Sequence, residues 1–361
     1  MISQFISALA KKSVLHSLGR MMESIAVQDL LNETFRQPRR GHAHLSSVDL
    51  QSAIPPYTEL GTYDLNGRTS RRGDAIFITA RFRSGSTLLW NLFRHVDGVT
   101  AYYEPFNERR WFDPSSHGDR IDATHKLVSD YWREYEGLER LGQYYRLEWI
   151  SKDLLMDREV WEPKMQRYVE LLIEKASGRP VLQFNRIDLR LPWFRHHFPN
   201  AKIIHLYRHP REQWCSTLMD VTSYSKDAPM IEFESHDKFY LRLWAHDLKY
   251  HFPFLDESMI THGYQLFYFL WKLSYVFGVK YSDYSLSYES LLDEPDKQLT
   301  YLLSRLDIEN YDIDYLRSLI VEPSRGKWKT YADDDWFSGH ETICETVMAD
   351  YLGVTKICGM P

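Results

Sequence analysis

The stretch FITARFRSGSTLLW, from Phe77 to Trp90, decides the fold. Apolar residues lead into a short turn of small and hydroxyl-bearing residues, and apolar residues then return at helical spacing. This pattern predicts a buried strand, a loop and a helix whose N-terminus faces outward. Backbone amides and the positive end of the helix dipole make such a terminus an anion site. A plain strand–turn–helix capped by Ser84 is the alternative interpretation of this stretch taken alone.

The turn differs from the phosphate-binding loop of nucleotide triphosphatases. That loop needs Gly-Lys followed by Ser or Thr to neutralise a triphosphate and to hold magnesium. Here Gly85 is followed by Ser86 and Thr87, with Arg83 as the nearest charged side chain before it. An anion at this turn would therefore meet arginine and hydroxyl groups in place of that lysine.

The composition is that of a globular protein large enough to bury a sizeable core. The chain has 361 residues, 43% hydrophobic and 26% charged, and a net charge of -6. This acidic balance, with no dense run of Lys and Arg, argues against a nucleic-acid partner. Three cysteines without metal-ligand spacing favour reduced thiols and a cytoplasmic location, and no metal site is expected.

Short β-rich runs recur along the chain, and helical patterns lie between several of them. The alternation predicts an α/β fold, a P-loop-like and mostly parallel sheet flanked by helices. Long polar and aromatic segments at 108–179 and 219–282 are expected to be helical or irregular insertions that form the substrate pocket. The predicted strands are Ala75–Ala80, Val99–Tyr103, Val181–Asn185, Lys202–Tyr207 and Tyr284–Tyr288.

Residues 1–72 are predicted to form an N-terminal helical extension and a connection, ahead of one large domain at 73–361. Apolar residues at helical spacing begin the extension, and 37–72 is rich in Pro, Gly, Ser and Arg. No secretory signal is evident. The apolar run Tyr264–Val279 is shorter than the ~20 residues that span a bilayer, so no transmembrane segment is expected. A weak contact of the first helix with a membrane surface is the alternative to packing on the body.

A second predicted strand–helix junction lies in AKIIHLYRHPREQWCSTL, from Ala201 to Leu218. The strand is expected to end at Tyr207, and Pro210 suits the first turn of a helix. Arg208 at the strand end and Ser216 on the helix are placed to hold a second phosphate. The alternative is an ordinary salt-bridged arginine and a serine on the helix surface.

The two stretches resemble motifs of sulfotransferases that use 3'-phosphoadenosine 5'-phosphosulfate (PAPS). Arg83–Thr87 is similar to the 5'-phosphosulfate loop of the carbohydrate and tyrosylprotein branch. Arg208–Arg211 with Ser216 resembles the 3'-phosphate motif, although His209 replaces its usual acid. Phe198–Lys202 and Ser287–Pro295 resemble further family segments.

The resemblance implies that 73–361 is a sulfotransferase domain with PAPS as donor and adenosine 3',5'-bisphosphate as product, without a metal. The acceptor would be a hydroxyl-bearing carbohydrate, lipid or small metabolite, and the insertions would shape its pocket. The resemblance also implies a set of cofactor-binding residues: Arg83, Ser84, Gly85, Ser86, Thr87, Leu88, Arg208, Ser216, Tyr288, Gly326, Lys327 and Trp328.

The catalytic base predicted for this chain is Glu104. Cytosolic sulfotransferases use a histidine after a Lys-Thr pair, but the matching stretch here is QFNR, ending at Arg186. Glu104 follows the second predicted strand and resembles the Glu-Pro element of the carbohydrate and tyrosylprotein branch. Arg186 stands where that branch has a lysine that stabilises the bridging oxygen, and Arg83 is also implied in catalysis. Other candidate bases are an insertion residue or one of His95, His205 and His209.

Two other functions stay open from the sequence. One is an ATP-dependent small-molecule kinase of related fold, which the missing Gly-Lys argues against. The other is a non-catalytic nucleotide-binding protein, which the loop, Glu104 and Arg186 together argue against.

Overall fold

The computed structural model describes residues 75–352 except 119–121, 123, 124, 126, 322 and 324. Within them, five parallel strands form one sheet in the order β2-β3-β1-β4-β5. This arrangement confirms the α/β fold. The predicted N-terminal extension lies outside the described residues, as does Cys358. The strands are β1 (Ile76–Ala80), β2 (Val99–Tyr103), β3 (Arg179–Phe184), β4 (Lys202–Tyr207) and β5 (Tyr284–Ser287).

Helices flank the sheet and follow the carboxyl end of most strands. The insertions predicted at 108–179 and 219–282 contain mainly short 3₁₀ helices beside a few longer helices. The α-helices of the described residues are α1 (Ser86–Arg94), α2 (Pro163–Lys175), α3 (Leu191–His197), α4 (Pro210–Thr217), α5 (Leu241–Leu248), α6 (Gly263–Tyr281), α7 (Tyr288–Asp293), α8 (Pro295–Arg305), α9 (Ile313–Ser318), α10 (Trp328–Tyr331) and α11 (Asp334–Leu352).

Burial on both faces explains why the strands read as apolar runs. All five residues of β1 are buried, as expected for the central strand of a parallel sheet covered on each side. The ring of Phe77 meets those of Phe184, Phe194 and Phe198 edge-on, with centroids 5.3–6.0 Å apart. Such edge-to-face contacts add to the burial of the rings.

Helix α6 contains the apolar run Tyr264–Val279. It is buried along most of its length, and it passes close to β4. A Cβ atom on Gly278 would lie 2.4 Å from the ring of His205, so only glycine allows this approach. Among the described residues, no helix is long and apolar enough to cross a bilayer.

The strand order places the segments that the sequence predicts to be functional at the carboxyl ends of the strands. The chain leaves β1 toward β2 and β3 on one side, whereas β4 and β5 lie on the other. Parallel strands end at the same edge, and a crevice opens where the strand order reverses. The loop after β1 and the residues that follow β2, β3 and β4 therefore converge there.

Candidate active site

A cavity of about 750 Å³ opens at this edge. Each sheet segment that the sequence singled out contributes side chains to its wall, and both insertions contribute as well. Its lining includes Arg83, Gly85, Ser86, Thr87, Leu88, Glu104, Asn185, Arg186, Arg208, Ser216, Tyr288 and Lys327, together with Trp111, His125, Tyr131, Lys238, Phe239 and Tyr240 from the insertions.

The loop after β1 is shaped for close approach of an anion. Gly85 has a φ of 92°, in the left-handed region, and a Cβ there would lie 2.2 Å from the ring of Tyr288. Both facts require glycine. The first bond of α1 runs from the Leu89 amide to the Gly85 carbonyl, so the amides just before Leu89 have no acceptor within the helix.

Ser84 has a structural role that differs from a helix cap. Its hydroxyl is buried and donates to the carbonyl of Arg81 at 2.7 Å, which closes the turn. The residue at the cap position is Gly85, and it makes no side-chain hydrogen bond. Ser84 therefore stabilises the turn through the Arg81 carbonyl, whereas Ser86 and Thr87 line the cavity.

Arg83 contacts both predicted anion-binding sites, the loop after β1 (the 5' grip) and the Arg208–Ser216 pair (the 3' grip). Its backbone φ is +65°, an uncommon conformation for a residue with a side chain. Its Nε donates to Ser216 Oγ at 3.2 Å, and its Nη1 lies 3.3 Å from Asp122 Oδ2. The Nη1 of Arg208 donates to the carbonyl of Arg83 at 3.2 Å. The loop and the Arg208–Ser216 pair are thus parts of one continuous surface.

Arg208 lines the cavity, and one of its guanidinium donors has no hydrogen-bond acceptor among the described residues. Its carbonyl accepts the indole N–H of Trp271 at 3.0 Å, and its guanidinium lies 5.2 Å from the ring centre of Tyr288. Its Nη2 lies 3.6 Å from Glu212 Oε2. Among the described residues, the buried Nε of Arg208 has no hydrogen-bond partner. A buried donor without an acceptor is costly, and it suits an incoming oxyanion.

Glu104 is a buried carboxylate held by three donors. It is 5% exposed and has a φ of +37°, which turns the chain sharply after β2. Its Oε1 accepts from Asn185 Nδ2 at 2.5 Å. Its Oε2 accepts from Asn107 Nδ2 at 2.6 Å and from Arg186 Nη1 at 3.2 Å. These bonds fix the direction of the carboxylate.

Arg186 bridges Glu104 to a second carboxylate. It is 2% exposed, and its Nη2 donates to Glu108 Oε2 at 2.6 Å. The guanidinium lies 4.9 Å from the ring centre of Phe82 and 5.7 Å from that of Tyr240. Tyr240 donates to the other oxygen of Glu108 at 2.8 Å. Burial, and then the charge of Glu108, raises the pKa of Tyr240 to about 12, so its hydroxyl is a donor at neutral pH.

A polar cluster that the sequence did not predict surrounds Thr87. Its hydroxyl lies 3.0 Å from Tyr103 OH and 3.2 Å from His125 Nε2. Tyr131 OH accepts the amide of Asp122 and lies 2.6 Å from His125 Nδ1.

Both ring nitrogens of His125 lie within hydrogen-bond distance of a hydroxyl, Nδ1 of Tyr131 OH and Nε2 of the Thr87 hydroxyl. Burial lowers the pKa of His125 to about 4, so the ring is neutral at physiological pH. Tyr131 is a near neighbour of His125 in the chain, but the contact with Thr87 joins distant segments, so no local motif marks the histidine.

The predicted cofactor-binding segment Gly326–Trp328, the late basic loop, lies only partly at the cavity. Lys327 lines it, and the amide of Gly326 donates to Glu212 Oε1 at 2.5 Å. Trp328 is not one of the lining residues among those described. Its ring lies 5.2 Å from the guanidinium of Arg211 and 5.7 Å from the ring of Phe337.

The histidines considered as alternative bases lie away from the cavity wall. His95 ends α1 and bonds the carbonyl of Asn91, and His209 precedes α4 and donates its amide to Glu289. His205 is buried in β4, where burial lowers its pKa to about 3.

Four aromatic residues of the predicted insertions line the cavity: Trp111, Tyr131, Phe239 and Tyr240. Others, among them Trp149, Tyr264, Tyr268 and Trp271, are buried, whereas Trp132, Tyr144 and Tyr145 are half-buried. The described residues contain no group of His, Cys, Asp and Glu side chains that could hold a metal ion.

A model described as "Sulfotransferase family" matches residues 75–312. The chain belongs to the sulfotransferase family. The matched range contains all five strands, the loop at Arg83–Thr87, Glu104 and the Arg208–Ser216 pair. The closer likeness to the carbohydrate and tyrosylprotein branch stays a prediction.

Three of the solved structures similar to this sulfotransferase-family chain come from bacteria. A sulfotransferase from Alicyclobacillus acidocaldarius is 13% identical, with 77% of this chain and 95% of that chain covered and a TM-score of 0.36. Sulfotransferase STF9 from Mycobacterium avium is 11% identical, with 79% and 78% covered and a TM-score of 0.39. Sulfotransferase STF1 from Mycobacterium tuberculosis H37Rv is 13% identical, with 78% and 76% covered and a TM-score of 0.34. No curated protein matches the sequence.

Proposed function

We propose that this sulfotransferase-family protein transfers a sulfuryl group from PAPS to a hydroxyl of a carbohydrate, lipid or small metabolite. One observation carries the proposal. The carboxylate of Glu104, the amide-rich loop at Gly85 and the Arg208–Ser216 pair line the same cavity. An acid–base group beside two anion grips is what transfer from a doubly phosphorylated donor requires.

The residues present fit the nucleotide. The amides of the Gly85 loop and the hydroxyls of Ser86 and Thr87 would hold the 5' phosphosulfate. Arg208 and Ser216 would hold the 3'-phosphate, for which the buried Nε of Arg208 is a donor in reserve. Lys327, at the cavity wall, adds positive charge. This binding mode would not need magnesium, because arginine would supply positive charge and the hydroxyls and amides would supply hydrogen bonds.

Glu104 would act as the proton acceptor for the attacking hydroxyl. Asn185 and Asn107 hold its carboxylate, which limits the reorganisation needed when the acceptor arrives. PAPS supplies an activated sulfuryl group with a phosphate as leaving group. Arg186 is oriented by Glu108 and Glu104. It would stabilise the negative charge that develops on the bridging oxygen of the leaving phosphate. Arginine holds its own proton too tightly to serve as the acid.

The outer part of the cavity would bind the acceptor. Trp111, Phe239 and Tyr240 present aromatic faces, and Lys238 and Arg109 present cations. Aromatic faces beside polar groups suit an acceptor that carries several hydroxyls on a partly apolar frame. A cytoplasmic location, suggested by the cysteine content, stays a prediction.

The kinase and the non-catalytic protein are less favoured than a sulfotransferase. The loop carries Arg83 and no Gly-Lys, and the family match covers the catalytic segments. An assay with labelled PAPS in EDTA, across carbohydrate, lipid and small-metabolite acceptors, tests the proposal. We expect transfer that persists without divalent metal. Turnover that needs ATP and magnesium, or no transfer to any acceptor class, would overturn it.

A further inference from the structure

The carboxylate of Glu212 lies between the predicted 3'-phosphate grip and the late basic loop. Glu212 is on α4, one turn after Arg208, and its side chain is 12% exposed. Its Oε1 accepts the amide of Gly326 at 2.5 Å. Its Oε2 lies 3.6 Å from Arg208 Nη2. One side chain thus contacts both elements that would enclose the 3'-phosphate.

The two oxygens are not equally satisfied. Oε1 has a short bond to a backbone amide, whereas the buried Oε2 has no hydrogen-bond partner within the described residues. The Nε of Arg208 is also buried and has no hydrogen-bond partner within the described residues. The ion pair between Arg208 and Glu212 is therefore long and loose, although both groups are buried. Buried charges normally make close, hydrogen-bonded pairs.

The charge of Glu212 acts differently in the free protein and in the protein with a bound phosphate. In the free protein, Glu212 partly neutralises Arg208. When a phosphate binds Arg208, Glu212 becomes a negative charge beside another negative charge, and the repulsion lowers affinity. The bond from Gly326 to Oε1 needs only an oxygen acceptor, so it does not depend on this charge.

We propose that Glu212 is a positioning residue that limits the affinity for 3'-phosphorylated nucleotide and so speeds release of the product. Its Oε1 holds Gly326, and with it the cavity-lining Lys327, in place. The negative charge of the Glu212 carboxylate repels a 3'-phosphate bound at Arg208. Because the bisphosphate product must leave in every turnover, a built-in repulsion prevents the grip from becoming a trap. This inference rests on the proposed function.

Glu212→Gln separates the two roles. Glutamine keeps an oxygen for the Gly326 amide and removes the charge. We expect adenosine 3',5'-bisphosphate to bind about 3- to 10-fold tighter and to dissociate more slowly, and the gain to shrink at high salt. Glu212→Ala removes the acceptor as well, so it should gain less affinity than Glu212→Gln. Calorimetry in EDTA measures the dissociation constant, and stopped-flow displacement in EDTA measures the dissociation rate constant.

Two controls locate the effect. Glu294→Gln changes the net charge equally at an exposed carboxylate paired with Lys297, and should leave affinity unchanged. Adenosine 5'-phosphate lacks the 3'-phosphate, so Glu212→Gln should not tighten its binding by the same factor. Equal gains for both nucleotides, or unchanged or weaker bisphosphate binding in Glu212→Gln, would overturn the inference and leave the proposed function intact. A wild-type protein that binds no bisphosphate would overturn both.

Discussion

Arg83 Nε donates to Ser216 Oγ at 3.2 Å, although the two residues are 133 positions apart in the chain. The arginine belongs to the loop after β1 and the serine to the helix after β4. Their contact joins the predicted 5' grip to the predicted 3' grip. Loss of either side chain should therefore affect both ends of the nucleotide.

The first prediction concerns the 3' grip. Arg208→Ala should weaken binding of adenosine 3',5'-bisphosphate by about 10- to 100-fold, because a charged hydrogen bond contributes ~1.5–3 kcal/mol. Ser216→Ala should weaken it less, because it removes a neutral hydroxyl. Calorimetry in EDTA measures both. If wild type bound adenosine 5'-phosphate as tightly as the bisphosphate, the 3'-phosphate assignment would be wrong.

The second prediction separates chemistry from binding at Glu104. Glu104→Gln keeps the shape and can accept from Asn185, but it cannot take up the acceptor's proton. Removal of a general base typically costs about 10²–10⁴ in rate. The variant should bind the bisphosphate nearly as wild type does and lose most sulfuryl transfer.

Arg83→Ala is the contrasting variant for Glu104→Gln. It removes a loop side chain that contacts Ser216, so it should lose both nucleotide binding and turnover. Binding by calorimetry and steady-state transfer are measured side by side. Near-normal turnover of Glu104→Gln would contradict the assignment of the base and redirect the search to the insertion residues.

The third prediction tests the Gly85 loop. Gly85→Ala places a Cβ where the ring of Tyr288 lies and forces alanine into a φ of 92°. We expect a destabilisation of about 1–3 kcal/mol and a loss of bisphosphate binding. Thermal unfolding and calorimetry give the two quantities.

A double variant divides the third effect into its causes. Tyr288→Ala removes the ring, so the double variant should recover the part of the stability that the collision cost. The left-handed backbone strain should remain. Full recovery would show that the conformation of Gly85 is unimportant, and no recovery would show that the ring yields freely.

The fourth prediction concerns acid stability and His205. Burial lowers the pKa of this histidine to about 3, below its usual value near 6.5. Between these values the unfolded chain binds a proton that the folded chain does not, so stability falls as the pH falls. The contribution is about 1.4 kcal/mol for each pH unit in that window.

His205→Gln should reduce the slope of unfolding free energy against pH by this amount between pH 6 and 4. His125 and His262, whose pKa values are also lowered by burial, should keep part of the slope. Denaturant unfolding at several pH values measures it. An unchanged slope in His205→Gln would contradict the prediction.

The sequence by itself determined the secondary-structure elements and the strand–loop–helix around Gly85. The run from Phe77 to Trp90 is a local pattern, and the strand, Gly85 and α1 depend on neighbours along the chain. The five predicted strands lie within a few residues of those observed for the same reason. The order of those strands was not readable, because it depends on contacts far apart in sequence.

Only the tertiary structure decided what surrounds Glu104 and Arg83. Asn185 meets Glu104 from 81 positions away, and Ser216 meets Arg83, because parallel strands end at one edge of the sheet. The same convergence brings His125 to Thr87 and Glu212 to Gly326. Local sequence cannot specify such contacts, since each depends on how separate segments pack. The residue types were therefore evident from the chain, but their partners came from the order of the sheet and the path of the insertions.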